Sequence, residues 1–299
     1  MRGSMRVIEP EHNTFDAIMA DLTHQCNMEC SNCYLPNRDI PDMDKERLYD
    51  LVSRLPKRTF IRLIGAEPTL REDLHEIIRK IKKLGHHVSV TTNGLKLHRM
   101  DYVQKLKSAG LRLVLLSMNG GDDDQVYKRV DGGKYARLKN RALDNCMKSN
   151  LIVNTGTIVL KDCNEHVIPQ LYKKLGMYKP RIKPVMRLRT MAPIGRHMGQ
   201  EFIYEFKEFR DRVCQELDIT YKYIQENSVK AFNNYNGVLF EMPNCIIRMV
   251  DWTVDDDGVP DNSNESRGRI TQDFKLAPFF EHVKAVSYTH LRAHETKWH

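Results

Sequence analysis

Three cysteines crowd one short stretch of this 299-residue chain, in the pattern Cys26-x3-Cys30-x2-Cys33. Three thiolates from a single loop can each take one iron of a [4Fe–4S] cube. The fourth iron then lacks a protein ligand and is open to a small molecule. The competing chemistry is a structural zinc site, which normally draws four ligands from two closely spaced pairs. His24 offers a fourth ligand, but no second pair follows it. The spacing therefore favours iron–sulfur over zinc.

Other polar elements recur where apolar runs end. Gly65-Ala66-Glu67-Pro68 closes one such run. Backbone carbonyls beside a carboxylate form a site for a cation, although a plain strand–turn with a helix-starting Glu reads the same way. A methyl group at Ala66 requires a backbone conformation that tolerates it. Thr91-Thr92-Asn93-Gly94 closes the next run, where Asn-Gly is equally a turn signal. Leu116-Ser117-Met118-Asn119-Gly120 follows a further one, with hydrogen-bonding capacity at Ser117 and Asn119. Asn164 sits past a β-branched run and doubles as a helix cap. Arg187, Arg189 and Pro193-Ile194-Gly195-Arg196 come last. An arginine there can pair with a carboxylate or an anionic substrate, or stand solvated.

The elements that must position these residues alternate. Strands are expected at 15–22, 60–64, 87–91, 111–117, 151–160 and 181–188. Helices are expected at 44–55, 72–84, 100–109, 135–149, 167–175 and 201–217. Leu74, Ile77, Ile78 and Ile81 form a single helical stripe, and Gly85 and Gly110 stop their helices. Six βα repeats imply a parallel sheet with helices outside it. Right-handed crossovers curl such a series toward a barrel. About 200 residues carry the pattern, short of a closed eightfold barrel. The fold class is thus α/β, a partial (β/α)6 TIM-like barrel with a small C-terminal extension. The extension is expected to cover one side of the barrel, with short strands at 221–224, 238–241 and 246–250 and a polar loop at 255–269. The domain reading is 1–14 as leader and lead-in, 15–219 as barrel, 220–285 as extension and 286–299 as a non-native tail. Met1–Ser4 looks like a vector leader, and 286–296 resembles a translated adapter sequence.

Composition narrows the class. At 41% hydrophobic and 29% charged, the chain can bury a core and does not read as disordered. It has no apolar run of membrane-spanning length and no signal-peptide layout, so it is read as cytoplasmic without a membrane partner. Seven cysteines, three of them clustered, fit metal ligation better than a secreted disulfide framework. The net charge of +8 is compatible with nucleic acid or a phosphorylated ligand, or with an ordinary lysine-rich surface.

These motifs together resemble the radical S-adenosylmethionine enzymes over roughly residues 15–220. The cysteine spacing is that family's signature, and Tyr34 after the last cysteine is common there. Gly65–Pro68 is similar to the family's Gly-Gly-Glu-Pro element, which holds the S-adenosylmethionine ammonium; Ala66 departs from the usual second glycine. Ser117 matches a serine near the cofactor's ribose or carboxylate, with Asn119 replacing the usual Asp. The resemblance also implies cofactor contacts at Asn93, at Ile158 beneath the adenine, at Asn164 and at Arg187 or Arg189. It implies that S-adenosyl-L-methionine chelates the open iron. The reduced cluster cleaves it to methionine and a 5′-deoxyadenosyl radical, which takes a hydrogen atom from the substrate.

On this reading the substrate is a peptide or a small natural-product intermediate. The electron donor is a flavodoxin or ferredoxin. RNA modification is an alternative, and a basic nucleic-acid-binding protein with a structural metal is a reading from another class. Aromatic residues are only 8% and scattered, which disfavours a stacking platform for nucleic acid. Beyond residue 200 only Cys214 and Cys245 remain, too few for a second Cys-ligated cluster, so one cluster is expected. Cys245, after Pro243-Asn244, is a candidate hydrogen-atom donor at the barrel mouth, or a buried apolar thiol. The acidic stretch Asp251-Trp252-Thr253 with Asp255–Asp257 is read first as a solvated loop, with a substrate-pocket lining or a cation chelator as the alternatives.

Overall fold

Alternate residues of each strand are apolar and packed under helices. Ile18 and Ala20, Ile61 and Leu63, Val88 and Val90, and Val114 and Leu116 join one continuous core. Met186 and Leu188, and Ile247 and Met249, extend it. Period-two burial of this kind places every intervening residue on the opposite face of the sheet. The computed structural model describes residues 10–13, 15–33, 35, 37–192, 196, 198–229, 237–252, 267–277 and 289–290.

The repeats run as expected. Strand β1 is Ala17–Asp21, followed by α1 Lys45–Arg54, β2 Phe60–Ile64, α2 Leu74–Lys83, β3 His87–Thr92 and α3 Met100–Ser108. Then come β4 Leu113–Ser117, α4 Asp124–Val130, α5 Ala136–Lys148, β5 Ile152–Ile158, α6 Val167–Gly176, β6 Val185–Arg189 and α7 Phe206–Glu216. Helix α4 was not foreseen. The Asp123 carboxylate caps it, accepting from the Gln125 and Val126 amides at 2.7 and 3.2 Å. Its apolar residues Val126, Tyr127 and Val130 are buried.

The C-terminal part departs most from expectation. Residues 221–224 form the start of a helix, α8 (Tyr221–Glu226), not a strand. Thr220 caps it through its side-chain oxygen, and only Ile224 is buried, so the alternation there reflects one anchor on a short helix. Strands β7 (Gly237–Glu241) and β8 (Ile246–Val250) form a hairpin, with β8 parallel to β6. Strand β9 (Arg267–Ile270) pairs parallel with β1 on the other edge. Strands β10 (Lys275–Ala277) and β11 (Thr289–His290) follow it antiparallel. The extension thus lengthens both edges of the sheet and does not cover one side only. The sheet order is β11-β10-β9-β1-β2-β3-β4-β5-β6-β8-β7, with eight successive parallel strands from β9 to β8. Backbone groups at each edge of the six-strand unit find partners this way, which a free parallel edge would leave open.

Two buried charges stitch β9 to β1. The Arg269 Nε and an outer guanidinium nitrogen reach the Asp21 carboxylate at 2.7 and 2.6 Å, with both side chains out of solvent. Among the described residues no helix is long and apolar enough to cross a membrane.

Candidate active site

The cysteine loop begins where β1 ends and is clamped at both ends by one arginine. Arg71 donates to the Leu22 and Met43 carbonyls at 3.0 and 2.6 Å while its other nitrogens hold Asp73 at 2.9 Å. The loop then docks on the turn after β2. The Ala66 amide donates to the Thr23 carbonyl at 2.8 Å, and the Glu67 amide to Gln25 at 3.0 Å. Gly65 has φ +139°, and a Cβ there would lie 2.3 Å from the Thr23 carbonyl oxygen, so only glycine allows this approach. Ala66 is not among the positive-φ residues, which explains why its methyl is tolerated.

A pocket opens at this end of the barrel, about 1000 Å³ with the open solvent at its mouth included. Cys26, Cys30 and Cys33 line it together with Gly65, Ala66, Asn93, Ser117, Asn119, Ile158 and Arg189. Thr92, from the element that closes β3, and Trp252, from the acidic stretch with a substrate-pocket lining as its alternative reading, also line it; the sequence missed Asn32, Arg38 and Met191 among others. Arg38 points an outer nitrogen at the Cys33 sulfur at 3.7 Å, and the Asn93 amide reaches the Cys26 sulfur at 3.9 Å. Arg38 Nε is buried without a hydrogen-bond partner among the described residues. No sequence signal separates Arg38 from any solvated arginine in a loop. Burial pushes the Cys26 and Cys30 thiols up, and at Cys30 the Asp131 carboxylate adds to it. Such thiols ionise when a metal replaces the proton.

This donor set fits an iron–sulfur cluster. N–H groups aimed at two of the sulfurs suit thiolates whose charge is shared with a cluster. Among the described residues no three His, Cys, Asp or Glu side chains converge on one point that a single ion could occupy. Thiols spread around one pocket suit a polynuclear centre, where each takes its own iron.

Glu67 and Pro68 are corrected in role. Both are buried, and neither lines the pocket. Glu67 Oε1 accepts from the Thr69 amide at 3.0 Å and from the Thr69 and Thr92 hydroxyls at 2.5 and 2.7 Å. Its Oε2 accepts the Asn93 amide at 2.6 Å. The carboxylate therefore pins the ends of β2 and β3 together from behind, and Gly65 and Ala66 present the surface. Asn164 is likewise a brace. Its amide donates to the Asn119 and Ile158 carbonyls, both at 2.9 Å, and its oxygen accepts from Leu160 at 2.7 Å. Asn119 spans from β4 to β5, donating to Asp131 at 2.8 Å and accepting the Ile158 amide at 3.0 Å.

Asp131 in turn pairs with Lys139 at 2.9 Å, both fully buried, and Lys139 also donates to the Ser117 carbonyl at 3.2 Å. Lys139 was legible in principle, since it falls on the buried stripe of α5 with Ala136, Ala142, Leu143 and Cys146.

Arg189 lies over the Trp252 ring at 4.4 Å, and both line the pocket. Trp252 thus faces the pocket and not solvent, while Thr253 and Asp255–Asp257 lie outside the described residues, as do Tyr34 and Pro193–Gly195. Arg187 does not line the pocket. It sits two residues deeper on the same strand face, paired in register with Arg248 of β8. Cys245 is overturned as a hydrogen-atom donor. It lies in the core just before β8, where the next amide bonds to Pro184 ahead of β6, at the end of the barrel opposite the pocket. Burial pushes its thiol up to about 12. Cys214, on α7, packs against the same core.

An open parallel barrel with a three-cysteine loop at its mouth, and polar groups at successive strand ends, defines the class of enzymes that cleave S-adenosylmethionine at an iron–sulfur cluster. A model of the radical SAM superfamily matches residues 21–175, and the chain belongs to that superfamily. It is an enzyme whose cofactors are a [4Fe–4S] cluster and S-adenosylmethionine. It is 39% identical over 218 residues to a protein named probable GTP 3′,8-cyclase from Saccharolobus islandicus, covering 70% of this chain and 64% of that one. It is 32% identical over 136 residues to a 7,8-dihydro-6-hydroxymethylpterin dimethyltransferase of Methanocaldococcus jannaschii, covering 43% of this chain and 27% of that relative's length. Streptococcus suis SuiB bound to S-adenosylmethionine shares the fold, with a TM-score of 0.65 at 13% identity over 93% of this chain and 63% of that chain.

Proposed function

We propose that the enzyme acts on a small anionic heterocycle of nucleotide type, seated on the concave face of the barrel beside S-adenosylmethionine. The observation that carries this reading is the arginine-rich concave face. Strand register places Arg62, Arg187, Arg189 and Arg248 on the concave face, where Arg189 lines the pocket and the other three lie behind it. Burial lowers the Arg248 pKa, as expected of a cation held in a low-dielectric lumen. Arginine forks suit phosphate and carboxylate groups. The Trp252 ring beside Arg189 offers a flat surface to a heterocycle. Relatives named for GTP and for a pterin support this class over a peptide.

In this reading Cys26, Cys30 and Cys33 hold the cluster. Gly65, Ala66, Asn93, Ser117, Asn119 and Ile158 bind S-adenosylmethionine, braced by Glu67 and Asn164. The two cofactors, when bound, supply a one-electron cleavage that generates the hydrogen-abstracting species. The chain's own residues orient the substrate and exclude water. Arg189 and Trp252 form the wall across from the cysteine loop, and Arg189 meets the anionic end of the substrate while the deeper arginines add positive potential behind it.

Calorimetric binding with S-adenosylmethionine present tests this. GTP is expected to bind while guanosine and a neutral peptide bind far more weakly. Arg189→Met is expected to weaken GTP about 10–100-fold, the loss of one charge-assisted contact. Equal binding of GTP and guanosine, or unchanged affinity in Arg189→Met, contradicts the reading.

A further inference from the structure

The electron for cofactor cleavage has to enter from outside, and the pocket is occupied by cofactor and substrate during turnover. The cysteine loop has another flank. The Ser31 amide donates to the Val130 carbonyl and its hydroxyl to the Arg129 carbonyl, both at 2.8 Å. Gly132 abuts Glu29 so closely that a Cβ would stand 2.6 Å from the Glu29 carbonyl oxygen. The end of α4 and the turn after it therefore cover the outer side of Cys30, where the Asp131 carboxylate also acts on the thiol. None of residues 128–134 lines the pocket.

This cover is basic. Lys128, Arg129, Lys134 and Arg137 are exposed. Among the described residues none of the four has an ion-pair partner; Arg129 lies over the Phe202 ring at 4.9 Å. The nearby acids are matched. Asp131 is buried with Lys139, and Glu29 pairs with Arg196 at 2.9 Å. At the other end of α4, Asp122, Asp123 and Asp124 keep their charge, bonded to Asn140, to the helix amides and His166, and to the Ala136 amide. Asp122 and Asp124 share a cleft with Arg137, so Lys128, Arg129 and Lys134 carry the positive character of the face. On the other flank of the cysteine loop, charges of both signs alternate, with Asp39, Asp42 and Arg47 exposed and Arg38 half-buried. An acidic partner is thus drawn to the flank where the exposed charges are positive.

We propose that the surface formed by Lys128, Arg129, Lys134 and Arg137 is the docking face for an acidic one-electron carrier of flavodoxin type. The reduced flavin gives up one electron through the cover over Cys30, the centre held there gains it, and no bond forms or breaks in that step. A small, charge-steered contact of this kind suits transient electron transfer. The inference rests on Cys30 as a cluster ligand.

The test compares two charge-reversal pairs in the reconstituted full chain. Lys128→Glu/Lys134→Glu alters the face. Lys83→Glu/Lys148→Glu alters exposed lysines at the C-terminal ends of α2 and α5, at the opposite end of the barrel. Release of 5′-deoxyadenosine is measured with reduced flavodoxin and, separately, with dithionite. The first pair is expected to lower flavodoxin-supported kcat/KM about tenfold at low salt and to leave the dithionite rate unchanged. The gap should close near about 0.5 M salt, where charges are screened within a few ångströms. The control pair should match the wild type with both reductants, and Lys128→Gln/Lys134→Gln should fall between. Equal flavodoxin rates in the two reversal pairs, or a parallel fall of the dithionite rate, overturns the docking face. A wild type inactive even with dithionite instead refutes the cluster assignment beneath it.

Discussion

Glu67→Ala is expected to lose about 3–5 kcal/mol of stability and nearly all affinity for S-adenosylmethionine, because it leaves two amides and two hydroxyls facing an empty, buried space. Four donors converge on this carboxylate, from Thr69, Thr92 and Asn93. Glu67, Thr69 and Thr92 are buried, so three of the four donors would lose their partner out of solvent. The consequence reaches the pocket by two paths. The turn at Gly65-Ala66 loses its anchor to β3, and Asn93 loses the backbone bond that aims its amide at Cys26. Glu67→Gln separates shape from charge. It keeps one carbonyl acceptor but turns an NH2 group toward backbone and hydroxyl donors, so an intermediate loss is expected. Thermal unfolding and equilibrium dialysis of labelled S-adenosylmethionine read the two effects. Wild-type affinity in Glu67→Ala would show that the pocket wall stands without its brace.

Lys139→Met is expected to cost about 3–5 kcal/mol, the typical penalty when one partner of a buried ion pair is removed and the other stays behind. Asp131 would remain dehydrated beside Cys30, with the Asn119 side-chain amide as its one remaining side-chain donor among the described residues. The cysteine loop leans on this region through Ser31 and Gly132, so iron retention after reconstitution should fall with stability. Pairing the change with Asp131→Asn removes the stranded charge and keeps a side chain that can bond Asn119. The double variant is therefore expected to recover more than half of the loss, a strongly non-additive result. Additive losses in denaturant unfolding would mean that the two residues are not coupled.

What the sequence disclosed follows from range. Cys26, Cys30 and Cys33 were readable because one loop carries all three, and the βα alternation was readable because helix and strand periods are local. The roles of Glu67 and Asn164 were not. Their types and positions were visible, but Glu67 acts across to β3 and Asn164 across to β4, contacts that depend on strand register. Trp252 stands open in sequence between a solvated loop and a substrate contact because its neighbours are acidic, and only the pairing of β8 with β6 swings it over Arg189. Cys245 shows the converse. Its place in an extension suggested the barrel mouth, yet β8 enters the sheet parallel to β6, which puts the residue before it at the far end. The extension as a whole was misread because strands that add to the two edges of a sheet leave no periodic mark of which edge they join.

The central claim is that the three cysteines hold one cluster that cleaves S-adenosylmethionine. Anaerobic reconstitution with iron and sulfide, followed by dithionite and S-adenosylmethionine, tests it most directly. About four irons per chain, a cluster spectrum that changes when S-adenosylmethionine is added, and release of 5′-deoxyadenosine are predicted, with all three lost in Cys30→Ala. A colourless protein that binds a single zinc, or one that releases 5′-deoxyadenosine equally well without Cys30, would contradict it.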